Sequence, residues 1–160
     1  MATEPDFHFL TRWDIPAPID RVWAEILDVE SWPQWWPGVL EVTSVEPGDE
    51  NGVGAIVDTV WKGALPFRLE WRGEIVEVIP HERIRLTAEG ELVGGGVWTF
   101  EETPGGTHVE YRWDVSSGKW IIRTLTPVAR KSFTKNHDTI MEWGHQGLLG
   151  RLGVTRSSVG

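Results

Sequence analysis

The segment TPVARKSFTKNHDTIMEWGHQGLL, residues 126–149, has the features of a long helix that faces the interior of the fold. Thr126 suits the N-cap position, and Pro127 suits the first helical turn. At ~1.5 Å per residue the helix would span roughly 35 Å, about the width of a small domain. Its apolar face unexpectedly includes a histidine and a glycine; the members of this face are Phe133, His137, Ile140, Met141, Gly144 and Leu148. A helix that only fills a core would carry Leu and Ala at such positions, so this face predicts a partly hollow interior.

Composition and charge limit the classes of function. The chain has 160 residues, enough for one domain with a sizeable core, and a net charge of −9. This charge argues against binding to nucleic acid or to an anionic membrane surface. No stretch approaches the ~18 apolar residues of a membrane span, and residues 1–9 lack the features of a signal peptide. The absence of cysteine excludes disulfides and thiolate metal sites and fits a cytoplasmic protein.

Eleven tryptophans are the unusual feature of the composition. Each is large, and each buried indole N–H requires a hydrogen-bond acceptor. Two interpretations are open. The tryptophans either fill the core, or several of them line a pocket for a flat or greasy ligand.

The rest of the chain reads as strands around two short helices. Residues 7–15 alternate between apolar and polar, which predicts a strand, and a helix over 18–27 and a shorter one over 31–36 follow. Six further segments have a strand pattern: 39–46, 54–62, 65–79, 82–92, 93–102 and 107–115. Since each has one apolar and one polar face, they predict an antiparallel sheet that is solvated on one side.

Two segments near the C-terminus have weaker patterns. Segment 116–125 carries no assignable pattern, although Trp120, Ile121 and Ile122 are apolar enough to pack near the start of the long helix. The tail, residues 151–160, has few apolar residues and is expected to fray.

Two stretches carry distinctive motifs. Residues 15–39, IPAPIDRVWAEILDVESWPQWWPGV, combine a Pro-x-Pro strand end, a Val-Trp helix and a Trp-Pro-x-Trp-Trp turn. Residues 133–148, FTKNHDTIMEWGHQGL, carry an Asn-His pair, a methionine and spaced glycines. With the strand THVEYRWDV, residues 107–115, they resemble the START-like, or SRPBCC, superfamily, and within it the polyketide cyclase/dehydrase and lipid-transport branch. The likeness covers residues 6–150 as one domain and is more specific for fold than for function.

The resemblance implies an α+β helix-grip fold. About seven antiparallel strands would curve around the long C-terminal helix, with two short helices after the first strand. The space between sheet and helix would hold a small hydrophobic or aromatic molecule, and Trp35 and Trp36 would border its entrance. The implied cavity residues are Trp13, Trp61, Trp71, Trp98, Tyr111, Trp113, Phe133, His137 and Met141.

His137 is the best candidate for chemistry, because a buried imidazole tends to stay neutral and can then accept or donate a proton. Three roles are open: a structural histidine bonded to a strand backbone or to Tyr111, a hydrogen-bond partner of a ligand, and a general acid or base. Tyr111, the only tyrosine, could donate to a ligand carbonyl or simply be part of the core. Arg72 could enter the cavity as an anion anchor if a bulge at Gly73 changed the strand register.

Other chemistry lacks sequence support. The histidines do not have metal-ligand spacing, and Gly-x-Ser-x-Gly and P-loop motifs are missing, so neither a metal nor a cofactor is predicted. The glycine run 94–96 instead predicts a bend or a close backbone approach in a curved sheet. Three functions follow as alternatives: a binding module without chemistry, a cyclase or dehydratase that uses His137 and Tyr111, and an interaction domain like the co-chaperone members of the superfamily. The sequence carries no signal for ligand identity or oligomeric state.

Overall fold

The computed structural model describes residues 5–117 and 126–155. Two short helices, a 3-10 turn and a long helix accompany one sheet: α1 (Ile19–Leu27), the turn Val29–Ser31, α2 (Trp32–Trp35) and α3 (Pro127–Leu152). The strands are β1 (Phe7–Ile15), β2 (Val39–Pro47), β3 (Ala55–Trp61), β4 (Leu69–Ile79), β5 (Arg83–Gly90), β6 (Leu92–Thr103) and β7 (Gly106–Ser117). The predicted order of a strand, two short helices, six strands and a long helix is confirmed.

All seven strands form a single curved antiparallel sheet in the order β1-β7-β6-β5-β4-β3-β2. Burial alternates along the strands as the sequence predicts. In β7, for example, Val109, Tyr111, Trp113 and Val115 are buried, whereas Arg112 is exposed. The buried face of the sheet packs against the helices, and the polar face meets solvent.

The bulge in β4 lies at Val76, three residues beyond the predicted position. Gly73 pairs regularly with both neighbouring strands, and the register shifts between Ile75 and Glu77 instead. Arg72 therefore keeps its outward orientation and makes a bidentate ion pair with Asp58, at 2.7 and 3.0 Å. The hypothesis that Arg72 enters the cavity as an anion anchor is wrong.

Helix α3 begins as predicted and ends later. The Thr126 hydroxyl accepts a hydrogen bond from the Ala129 N–H at 3.1 Å, which confirms the N-cap. The helix runs to Leu152, three residues beyond the predicted end, and Gly153 closes it with a left-handed φ of 70°. Leu152 is buried and its carbonyl accepts from Arg21, so the first part of the predicted frayed tail is helical.

Two predictions concern residues that are only partly described. Most of segment 116–125, with Trp120, Ile121 and Ile122, lies outside the described residues, and so does the end of the tail, 156–160. Among the helices that the structure describes, none has the length and apolarity needed to cross a membrane.

The α2 segment packs directly onto α3 at two glycines. The Trp36 indole donates to the Ile140 carbonyl at 2.7 Å, and a Cβ at Gly144 would come within 2.7 Å of the same indole nitrogen. A Cβ at Gly147 would overlap the carbonyl oxygen of Trp35. Gly144 therefore permits a close approach, and an indole fills the space that the sequence predicts to be hollow.

Candidate functional site

A cavity of about 50 Å³ lies between the sheet and α3. Eight of the nine predicted cavity residues line it: Trp61, Trp71, Trp98, Tyr111, Trp113, Phe133, His137 and Met141. Seven further residues complete the wall: Phe9, Trp32, Trp36, Leu69, Leu92, Asn136 and Ile140. The result is an almost wholly aromatic and aliphatic enclosure.

Trp13 is the predicted cavity residue that does not line this space. Its indole is buried, lies 5.6 Å from the Trp36 ring and 5.5 Å from the Trp98 ring, and stacks on His145 at 5.7 Å. These three neighbours surround Trp13 with protein, so it belongs to the packed core.

The cavity is small because the tryptophans occupy most of the space inside the sheet. Trp36 packs against Trp61 at 5.1 Å, and Trp71 packs against Trp113 at 5.1 Å. Typical ligand pockets measure about 300–1,000 Å³, and a buried water needs about 10–15 Å³. The cavity therefore has room for a few waters, which is much less than the helix face predicts.

His137 is held in the cavity wall as a neutral imidazole. Its side chain is 10% exposed and its ring stacks on Phe9 at 4.0 Å. Within residues 5–117 and 126–155, neither ring nitrogen has a hydrogen-bond partner, and the 3.6 Å from Nδ1 to the Asp138 carboxylate is too long for one. Burial lowers the pKa of His137 to about 4, against a smaller opposing effect of Asp138. A bond from His137 to a strand backbone or to Tyr111 is not seen in the described part of the chain.

Two cavity-lining indoles also lack acceptors. In the described part of the chain, the N–H groups of Trp61 and Trp98 are buried without a partner. By contrast, Trp32 donates to the Ile26 carbonyl at 3.1 Å, and Trp36 donates to α3. Nearly all buried polar groups in proteins are hydrogen bonded, and an unpaired one costs about 1–3 kcal/mol. Trp35 also has an unpaired N–H, but it lies outside the cavity wall.

Tyr111 lies flat in the wall and stays protonated. Its ring stacks on Trp98 at 4.1 Å, and burial raises the pKa of its phenol well above the usual value. A Cβ at Gly96 would lie 2.6 Å from the phenol oxygen, so this ring position requires glycine on the neighbouring strand. The predicted close backbone approach in the glycine run is found at Gly96.

Three wall residues show where sequence reasoning fell short. Asn136 is one position away from the predicted helix face, yet it is buried and its Oδ1 accepts from the Leu65 N–H at 2.9 Å, which joins the β3–β4 connection to α3. Phe9 shares the inward face of β1 with Trp13, so strand alternation alone could have identified it. Trp36, expected at the entrance, is 1% exposed and lines the cavity itself.

Charged side chains of β1 and β7 lie on the outer face of the sheet. His8 bonds to Asp114 at 2.8 Å, and His108 bonds to Asp14 at 2.7 Å and to Glu110 at 3.0 Å. The described residues include no group of three or more His, Asp or Glu side chains that could hold a metal ion. The candidate site is therefore the uncharged aromatic cavity.

Comparisons with known proteins agree with this geometry. The family described as polyketide cyclase/dehydrase and lipid transport matches residues 15–140. Among curated proteins, none matches the chain. The solved structures that it resembles include TTHA0849 from Thermus thermophilus, with 21% identity, a TM-score of 0.73 and coverage of 91% of this chain and 99% of that one.

Two further structures have the same architecture. The Zhui aromatase/cyclase from Streptomyces sp. R1128 has 16% identity and a TM-score of 0.75, over 92% of this chain and 93% of that one. Ara h 8.0201 has 14% identity and a TM-score of 0.62, over 90% and 98%. At these identities the likeness establishes the fold, which is the helix-grip fold.

Proposed function

The chain belongs to the polyketide cyclase/dehydrase and lipid transport family, and we propose that it binds a small, uncharged aromatic molecule in the cavity between the sheet and α3. The observation that carries this proposal is a set of polar groups that have no hydrogen-bond partner among the described residues and lie in a mostly apolar wall. In the described part of the chain, Trp61 and Trp98 each carry an N–H donor without an acceptor, and the neutral His137 ring carries one donor and one acceptor without partners. A ligand with an oxygen atom can satisfy groups that the described protein residues leave unpaired.

Charge and size narrow the class of ligand. The described residues of the cavity wall include no Asp, Glu, Lys or Arg, and His137 is neutral at pH 7 because burial lowers its pKa to about 4. An ionised ligand would lose its hydration without a counter-charge, which is costly. A cavity of about 150 Å³ holds one benzene ring, so a cavity of about 50 Å³ admits a ring such as phenol only when its wall side chains move apart. Lipid transport, which the family description also covers, would need a much larger space.

Phenol and toluene form a matched pair of probes, because they have similar shape and differ in the hydroxyl group. We expect phenol to bind about tenfold more tightly, since one or two net hydrogen bonds contribute about 0.5–1.5 kcal/mol each. Titration followed by isothermal calorimetry measures both affinities. Equal affinities, or no saturable binding of phenol, would contradict the proposal.

Aromatic variants test the individual donors. Trp61→Phe and Trp98→Phe remove the N–H groups and keep a ring in the wall, so we expect each to reduce the preference for phenol over toluene. Trp143→Phe is the control, because Trp143 lies on α3 outside the cavity and is 37% exposed. A preference that is unchanged in both cavity variants would count against hydrogen bonding by these indoles.

Catalysis of cyclisation or dehydration is the second candidate, and the observation in its favour is that His137 and Tyr111 line the same cavity. The pKa values of His137 and Tyr111 argue against proton transfer by these two groups, and therefore favour binding over catalysis. A base with a pKa of about 4 is weak at pH 7, and the raised pKa of Tyr111 makes it a poor proton donor. His137→Gln should therefore leave turnover of a candidate ketone substrate unchanged; a large loss of turnover with retained ligand affinity would favour catalysis. A cytoplasmic location remains part of the proposal, supported by the lack of cysteine.

A further inference from the structure

A second cavity, of about 160 Å³, lies beside the first. It is lined by the Leu27–Glu30 segment at the end of α1, by the β2–β3 connection and by strands β3 to β5. Its most buried residues are either apolar or have their polar group hydrogen bonded. Ile75 and Leu86 are buried, and the Thr59 hydroxyl donates to the Trp71 carbonyl at 2.8 Å. This second cavity, called the outer cavity, is therefore larger than the first, called the inner cavity, and its base is apolar.

Two indoles, those of Trp32 and Trp71, line both cavities. The Trp32 ring is fixed through its hydrogen bond to the Ile26 carbonyl. The edge of the Trp71 ring leans over Gly73, where a Cβ would lie 3.0 Å from ring atom Cζ3. Because Gly73 has no side chain, the Trp71 ring lies close against it, and this indole forms part of the wall between the two cavities.

The lining of the outer cavity carries charge of one sign. Asp28, Glu30 and Glu74 contribute to it, and its described lining residues include no Lys, Arg or His. A carboxylate placed there would be repelled, whereas a neutral or cationic group would be accepted.

We propose that the outer cavity is a second subsite, which holds an apolar substituent of the ring bound in the inner cavity. The substituent passes the Trp71 indole and ends in a neutral or positively charged group, not in a carboxylate. This inference rests on the proposed function, because it takes the inner cavity as the site of the ring. It adds to it the class of the whole ligand: a phenol-like ring with a short, non-anionic chain.

Four available phenols form a matched series of probes: phenol, 4-propylphenol, tyramine and 3-(4-hydroxyphenyl)propionate. Each buried methylene is worth about a fourfold gain in affinity, so 4-propylphenol should bind at least about tenfold more tightly than phenol. Tyramine, which is cationic, should bind at least about fivefold more tightly than the anionic propionate. Isothermal calorimetry with the full chain measures all four.

Filling the outer cavity separates the two subsites. Val57→Trp and Ala55→Leu each enlarge a side chain that lines the outer cavity and not the inner one. We expect either variant to remove most of the gain from the propyl group and to leave the affinity for phenol within about twofold of wild type. Retained phenol binding also shows that the variant is folded, and Ala55→Leu is the milder change if Val57→Trp does not fold.

The outcomes distinguish this inference from the proposed function. If wild type does not bind phenol, the proposed function fails and the inference falls with it. If phenol binds but the propyl group adds nothing, or its gain survives both filling variants, the second subsite is wrong and the proposed function stands. If the propionate binds as tightly as tyramine, the stated charge preference is wrong.

Discussion

The burial of His137 predicts a specific dependence of stability on pH. In the unfolded chain its pKa is near 6.5, whereas in the folded protein burial lowers it to about 4. As the pH falls through 6.5 the unfolded chain takes up a proton that the folded protein resists until pH 4. Stability from this residue is therefore fully present above pH 6.5 and is lost as the pH falls towards 4.

The magnitude follows from the difference between the two pKa values. One pKa unit corresponds to about 1.36 kcal/mol, so the folded protein should lose about 3 kcal/mol from this residue between pH 7 and pH 4. His137→Gln has no titrating group at this position and should not show the loss. Asp58, Glu77 and Glu110 have lowered pKa values and also destabilise the fold in acid, but they do so in both proteins.

Urea unfolding followed by tryptophan fluorescence measures the free energy of unfolding of both proteins at several pH values. We expect the difference in free energy of unfolding between wild type and His137→Gln to change by about 3 kcal/mol between pH 7 and pH 4. The wild type should lose stability relative to the variant as the pH falls. His8→Gln, on the outer face of the sheet, is the control. A gap that changes by less than about 1 kcal/mol would show that His137 is not held as a buried neutral imidazole.

The packing around α3 leads to two further predictions. Gly147→Ala should destabilise the protein by about 1–3 kcal/mol, because the new Cβ would overlap the Trp35 carbonyl oxygen. Gly150→Ala is the control: a Cβ there would meet nothing within 4 Å, so this change should stabilise the same helix by up to ~1 kcal/mol. If urea unfolding shows that both changes shift stability in the same direction, the packing of α2 on α3 is refuted. Asn136→Ala should lower the stability of the fold by about 1–3 kcal/mol, because it leaves the Leu65 N–H without its acceptor. Ser132→Ala, at an exposed position of the same helix, should lower it little. Equal effects of the two changes in thermal unfolding would contradict a structural role of Asn136.

Much of the fold could be predicted because one face of the sheet is exposed to solvent and the other is buried. Alternation indicates which side of each strand is buried, so it correctly predicts that Trp61, Trp71, Trp98 and Trp113 face the interior. The spacing of Phe133, His137 and Met141 on α3 was equally informative, because a helix of regular pitch presents such positions to one partner.

The size and details of the cavity could not be predicted in the same way. Periodicity shows that Gly144 faces inward, but only the three-dimensional packing shows that the Trp36 indole fills the space above it. Asn136 lies at the margin of the helix face, and its burial depends on a loop that comes from a distant part of the sequence. The position of the β4 bulge depends on pairing with β5, which no local pattern encodes.

The measurement closest to the central claim is the response of the indole N–H signals in a ¹H–¹⁵N correlation spectrum during titration with phenol. If the cavity binds a ring through its unpaired donors, the signals of Trp61 and Trp98 will shift saturably with a common affinity, while that of the exposed Trp143 will not. Signals of Trp61 and Trp98 that stay in place, or that move no more than that of Trp143, would contradict the account.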